Sequence, residues 1–103
     1  MQNTVTISPD IIRDVARITA LATPGVISLV EKDGYWRSRA TSGIEAVLNN
    51  GYAHITLNVI GHTGHSLIAL ASQIRNNIAE AVSEVTDITV AGVDITFEDV
   101  RPH

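Results

Sequence analysis

The stretch from Thr63 to Val100 constrains the fold of this chain more than any other. Leu67, Leu70, Ala71, Ile74, Ile78, Ala81, Val82 and Val85 recur at three- and four-residue steps, while Gln73, Arg75, Asn76, Asn77, Glu80 and Glu84 fill the opposite face. That spacing predicts an amphipathic helix of about five turns, one side of which must lie on a sheet. The strand after it reads Ile88, Val90, then Val93, Ile95, Phe97, so its apolar set moves from even to odd positions at Ala91-Gly92. A glycine at such a switch predicts a β-bulge. A packed helix followed by a strongly patterned terminal strand describes a scaffold, and no catalytic constellation interrupts it.

Upstream, Ser8-Pro9-Asp10 carries the marks of a helix start: a serine cap, proline at the first helical position and an acid facing the positive end of the dipole. A helix is predicted over residues 9 to 22, with Ile11, Val15, Ile18 and Ala22 stepping along one face, Ile12, Ala16 and Thr19 beside them, and Thr23-Pro24-Gly25 as its stop. Val5-Thr6-Ile7 is an optional short strand in front. Val26 to Val30 reads as a strand, Glu31 to Gly34 as a polar turn, and Tyr35 to Ser42, which has neither period, as a loop. Gly43 to Leu48, Asn49-Asn50-Gly51 and Tyr52 to Ile60 form a hairpin, because Asn-Gly supplies the positive backbone angles of a tight turn. In its second arm Ile55, Leu57 and Val59 face one way and His54, Thr56 and Asn58 the other, the pattern of a sheet with one wet side. The order is therefore (β)αβββαβ. The expected fold is a small α+β domain, a single antiparallel or mixed sheet of four to five strands with two helices on one face. Residues 1–103 form one domain, with a body over 5–100 and a tail over 101–103.

Composition limits the function classes. At 103 residues the chain hides roughly 65% of its unfolded surface, enough for one modest core. Its 45% apolar content rests on Ile, Val, Leu and Ala, and it has no cysteine, so neither a disulfide framework nor a thiolate metal site is available. The first ten residues lack a basic region and an apolar run, and no stretch approaches the ~20 apolar residues of a membrane span, so the expected location is cytoplasmic. A net charge of −4 opposes phosphate backbones and anionic lipid headgroups alike.

Four constellations carry possible chemistry. His54, His62 and His65 supply three imidazoles for zinc, but convergence would have to come from the fold. Gly61-His62-Thr63-Gly64 has the spacing of a nucleic-acid-clamping GXXG loop, with Arg75 as the nearest downstream cation; its alternative is a strand-to-helix turn. Tyr35, Trp36, Arg37 and Arg39 gather the sole tryptophan and two of seven basic residues in one segment, and these residue types anchor protein interfaces. The bland alternative is a tryptophan folded over the core's end. Arg13 and Arg17, near Asp10 and Asp14, read as surface pairs of a helix. Neither a cysteine nucleophile nor a GxSxG elbow occurs, and no patterned carboxylate pair lies on an apolar face, so the chain is expected not to be an enzyme and to use no cofactor.

Taken together, several features resemble the alkaline-shock-protein family of Gram-positive bacteria. They are Ile11-x3-Val15-x2-Ile18-x3-Ala22 followed by Pro24-Gly25-Val26, Gly43-Ile44 opening a strand, the strand His54 to Val59, Gly64 before the helix, and the closing run Val85 to Val100. The chain departs from the family's usual pattern at His62-Thr63, where members commonly have an acidic or aromatic residue, and in lacking a charged tail after the last strand. The resemblance implies a non-enzymatic cytoplasmic protein of stress response and cell-envelope homeostasis. It also implies self-association into a homo-oligomer and, in some members, tethering by a small membrane-anchored partner. The expected role is thus a scaffold working through protein surfaces: the wet sheet face (His54, Thr56, Asn58), an exposed strand edge, or the Tyr35-Trp36-Arg37-Arg39 segment. The alternative is a nucleic-acid module using Gly61 to Gly64.

Overall fold

The computed structural model describes residues 3–30, 43–64 and 66–102. The elements run α1 (Pro9–Ala22), β1 (Val26–Leu29), β2 (Ile44–Asn49), β3 (Tyr52–His62), α2 (Leu67–Thr86) and β4 (Thr89–Arg101). Ser8 caps α1, its Oγ accepting from the Asp10 N–H at 3.1 Å, and Pro9 occupies the first turn. Thr23 closes the helix: its N–H donates to the Ala20 carbonyl and its hydroxyl to the Thr19 carbonyl at 2.9 Å. Val5 to Ile7 joins no ladder of the sheet. That optional strand is instead a lead-in to the cap, with Val5 exposed and Ile7 packed against the core.

The sheet is mixed and centred on β3. β2 pairs with it antiparallel across a turn in which Asn50 (φ 54°) and Gly51 (φ 80°) are both left-handed, the requirement of a two-residue I′ hairpin. β1 also pairs antiparallel, against Val59 to Gly61. β1 and β2 therefore lie end to end on one side of β3, like a single edge strand interrupted in the middle. The interruption sits at Asn58, whose carbonyl accepts from the Val30 N–H at 2.8 Å and whose N–H donates to the Gly43 carbonyl at 2.9 Å. On the other side β4 runs parallel to β3, which requires a crossover, and α2 is that crossover.

The bulge expected in the last strand is present. Val90 lies opposite Ala53 and Gly92 opposite His54, leaving Ala91 as the extra residue. A second shift lies between Phe97 and Asp99, which face Val59 and Ile60, so Glu98 is an extra residue too. The strand runs on to Arg101, taking in the first residue of the expected tail.

Both helices cover the same face. Ala53, Ile55, Leu57 and Val59 of β3 meet Ile44 of β2, Val93 of β4, the Leu70, Ile74, Ile78 and Val82 row of α2, and Ile12, Ala16 and Ala20 of α1. Ser66 caps α2 through the Ala69 N–H, and Asp87, left-handed at φ 61°, ends it. Of the two neighbouring rows expected on α1, the fold buries the one through Ile12 and Ala16. The row through Ile11 and Ile18 faces outward, with Ile18 66% exposed. Alanines at 16 and 20 let the helix sit close, and Asn77 of α2 donates to the hydroxyl of buried Thr23 at 3.2 Å.

Candidate interaction surface

With both helices on one face, the other face of the sheet is left to the alternate residues of each strand. Its cross-strand rows follow from the register: Asn49, Tyr52 and Thr89; Val47, His54 and Gly92; Glu45, Thr56 and Asp94; then Asn58 beside Thr96. His54 and Thr56 are exposed and Asn58 is half-buried, so the structure brings these three expected residues together on one strip. Two apolar neighbours widen it: Val47 is 51% and Tyr52 54% exposed. Directly opposite and diagonal neighbours on a sheet face lie within side-chain reach, so Val47, Tyr52 and His54 form one contiguous patch. Beyond Asn58 the face closes, because Ile60, between Ser28 and Asp99, is buried.

At the centre of the strip His54 Nε2 lies 2.8 Å from Asp94 Oδ2. The imidazole rests over Gly92, where a Cβ would stand 2.9 Å from its Cε1, so the glycine at the bulge also makes room for this ring. Both side chains are more than half exposed, which keeps the pair's contribution to stability at about 1 kcal/mol or less. It fixes the ring in place across the β3–β4 ladder. Near the far end of β4, Arg101 Nε donates to Asp99 Oδ2 at 3.0 Å and the Val100 N–H to Asp99 Oδ1 at 2.8 Å. Those bonds, the arginine's foremost, hold the Asp99 carboxyl below the usual carboxylate range.

The zinc reading fails on strand geometry. His54 and His62 stand eight residues apart on β3, about 26 Å at the rise of an extended strand, so they cannot share an ion. His62 sits at the strand's end, where its Nδ1 accepts from the Gly64 N–H at 3.0 Å. His65 lies outside the described residues, and among the described residues no group of three or more His, Asp or Glu could hold a metal. The GXXG reading fails as well. Gly61 is inside β3, paired to Val26 on one side and Val100 on the other, and a Cβ there would meet Leu67 Cδ2 at 3.2 Å and the Phe97 ring. The first glycine is a packing position rather than part of a flexible clamp. Among the described residues, Thr63 and Gly64 form the turn.

Tyr35, Trp36, Arg37 and Arg39 lie outside the described residues. The two ends of their segment are nevertheless fixed, because Val30 and Gly43 meet at Asn58. Both free edges are blunted. Among the described residues one passes from β1 to β2 at Asn58, and the outer edge of β4, which pairs with no strand among the described residues, carries two bulges and the acids Glu98 and Asp99. Asp94, Val47 and Tyr52 were not singled out by sequence reasoning, although strand parity alone places Val47 and Tyr52 on this face. Among the described residues no helix is long and apolar enough to cross a membrane.

A model of the alkaline-shock-protein family, described as having a cell envelope-related function, matches residues 1–102. The chain belongs to that family. No curated protein matches it. Among solved structures it is similar to the MamM CTD. Two zinc forms superpose with TM-scores of 0.52 and 0.54 at 10% and 11% identity, covering 91% and 87% of this chain and 85% and 84% of theirs. A manganese form gives 0.52 at 10% identity, covering 91% of this chain and 98% of that one. At such identity the likeness is one of fold. This chain thus shares its helix-on-sheet layout with those domains.

Proposed function

We propose that the chain is a non-enzymatic cytoplasmic scaffold of cell-envelope stress and homeostasis, and that it docks another protein on the outer face of its sheet. One observation carries this reading: both helices lie on one face, and the opposite face presents Val47 and Tyr52, half exposed, around the His54–Asp94 pair. Flat strips of mixed apolar, aromatic and polar side chains suit protein contact better than small-molecule binding, which favours concave sites. The net charge of −4 argues for reaching the membrane through a partner, and the family resemblance makes that partner a small membrane-anchored protein. Tyr35, Trp36, Arg37 and Arg39 are proposed to contribute to the same docking, since these residue types anchor protein interfaces.

Fractionation of the organism's own cells tests this. The wild-type chain is expected with the membrane, and Thr56→Arg, which adds bulk and charge at the centre of an exposed strip, should move most of it to the soluble fraction without lowering its melting temperature. Substituting Trp36 and Arg37 with alanine should have a smaller effect in the same direction. Wild-type protein wholly in the soluble fraction, or a Thr56→Arg distribution matching wild type, would overturn the reading.

A further inference from the structure

We propose that the occupant of the outer sheet face is a basic segment of the docked protein, with an arginine seated over Thr56 and an apolar neighbour on Val47 and Tyr52. This rests on the reading that another protein docks on that face, and adds the chemistry of what docks there. Glu45 on β2 and Asp94 on β4 stand on either side of Thr56, so their backbones lie about 10 Å apart with Thr56 midway. Both acids are exposed. Asp94 is bonded to His54, whereas Glu45 has no hydrogen-bond or ion-pair partner among the described residues. Thr56 is short and exposed, which leaves the middle of the row open to a side chain from outside.

Charge and hydrogen-bonding capacity both call for a cation. Among the described strand residues Arg101 is the only lysine or arginine, and Asp99 holds it near the end of β4. Arg13, Arg17 and Arg75 belong to the helices, which cover the opposite face. His54 supplies no donor to spare. The Asp94 carboxylate only accepts, so its bond to Nε2 places the imidazole proton there and leaves Nδ1 of the neutral ring an acceptor. Any protein that covers this row takes Glu45 and Asp94 out of water, which is costly unless each carboxylate gains a charged partner. A guanidinium over Thr56 has a carboxylate on either side and five donors to offer them. Val47 and Tyr52, one and two rows along, then receive an apolar side chain of the same segment. Phosphate backbones and anionic headgroups are repelled by the same two acids.

The test titrates the purified full chain against two labelled synthetic peptides, one composed of leucine, tyrosine and arginine and the other with glutamate at every arginine position, and follows fluorescence anisotropy in moderate and high salt. The arginine peptide should bind, less tightly as salt rises, and the glutamate peptide should not. Glu45→Gln, which breaks no bond among the described residues, should weaken the arginine peptide by about two- to fivefold, and Glu45→Gln with Asp94→Asn by about tenfold or more. Asp10→Asn with Asp14→Asn removes the same charge from α1 and should leave binding within about twofold of wild type, which separates a seat on the sheet from general attraction to an acidic protein. Equal binding of the two peptides, or equal weakening by the sheet and α1 pairs, overturns the proposal. In fractionated cells Thr56→Arg fills the cation's seat and should release the chain from the membrane, while Thr56→Glu, bulky but of opposite sign, should stay with it. Release of both variants overturns the basic occupant and leaves docking on this face standing; retention of both overturns the docking itself.

Discussion

Gly43→Ala should lower the melting temperature far more than Gly51→Ala, although both glycines are left-handed, at φ 79° and 80°. At Gly51 a Cβ would meet nothing within 4 Å, so alanine there bears only the conformational cost of a left-handed residue, roughly 1 kcal/mol, or about 5 °C for a domain of this size. At Gly43 the same Cβ would collide with the Val30 carbonyl oxygen and stand 2.7 Å from the carbonyl carbon and nitrogen of that residue. Those are backbone atoms, and Val30 is pinned by its hydrogen bond to Asn58. They cannot yield unless the edge parts from β3, losing the bonds from the Val30 N–H to Asn58 and from the Asn58 N–H to Gly43. Strain and lost bonds together should cost about 3 kcal/mol or more, a fall of roughly 10–20 °C. Thermal unfolding followed by far-ultraviolet circular dichroism reads both variants. Equal shifts would show that the junction of β1 and β2 is looser than the contact implies. The larger shift at Gly43 would establish it as the anchor from which residues 31–42 depart.

Local signals carried most of this fold. The Ser8-Pro9 cap and the Thr23-Pro24-Gly25 stop bound α1 at Pro9–Ala22, and Asn50-Gly51 located the hairpin, because each of these acts through its own backbone. Parity revealed the bulge at Ala91, since apolar residues on both sides of it record which face they serve. The bulge at Glu98 left no such record: after Phe97 the chain reads Glu-Asp-Val-Arg, with no alternation to shift. The meeting of Val30 and Gly43 was equally silent, because twelve intervening residues say nothing about where their ends lie. The same holds for His54 and Asp94, forty residues apart in the chain and 2.8 Å apart in space. Gly61 misled in a different way. A glycine three residues before another suggests a mobile loop, yet its lack of a side chain serves the packing of Leu67 and Phe97. Within the candidate surface, period two puts Tyr52 on the wet face with His54, Thr56 and Asn58, and Val47 on the same face of the other hairpin arm, whereas only the register could bring Asp94 beside His54.

The two rows of α1 make the sharpest comparison, because one helix carries the same residue in both. Ile12→Ala should destabilise the domain by about 2–5 kcal/mol, since Ile12 is wholly buried against the sheet and α2 and its removal leaves a cavity among rigid neighbours. Ile18→Ala should change stability by less than about 0.5 kcal/mol, because a side chain 66% exposed gives up little buried area and alanine favours the helix. Chemical denaturation of each variant separates these cases. Periodicity alone cannot make this distinction. An apolar band that includes Ile11, Ile12, Val15, Ala16 and Ile18 spans nearly half the helix circumference, and the sheet needs only one side of it. What selects the side is the pair of alanines at 16 and 20, which let α1 approach closely, and the Asn77-to-Thr23 bond that ties its end to α2. The other side is then surplus to the monomer's stability. If Ile18→Ala proved as costly as Ile12→Ala, the outward row would belong to the core after all. A near-neutral Ile18→Ala would show that this half of the band is not needed for the fold.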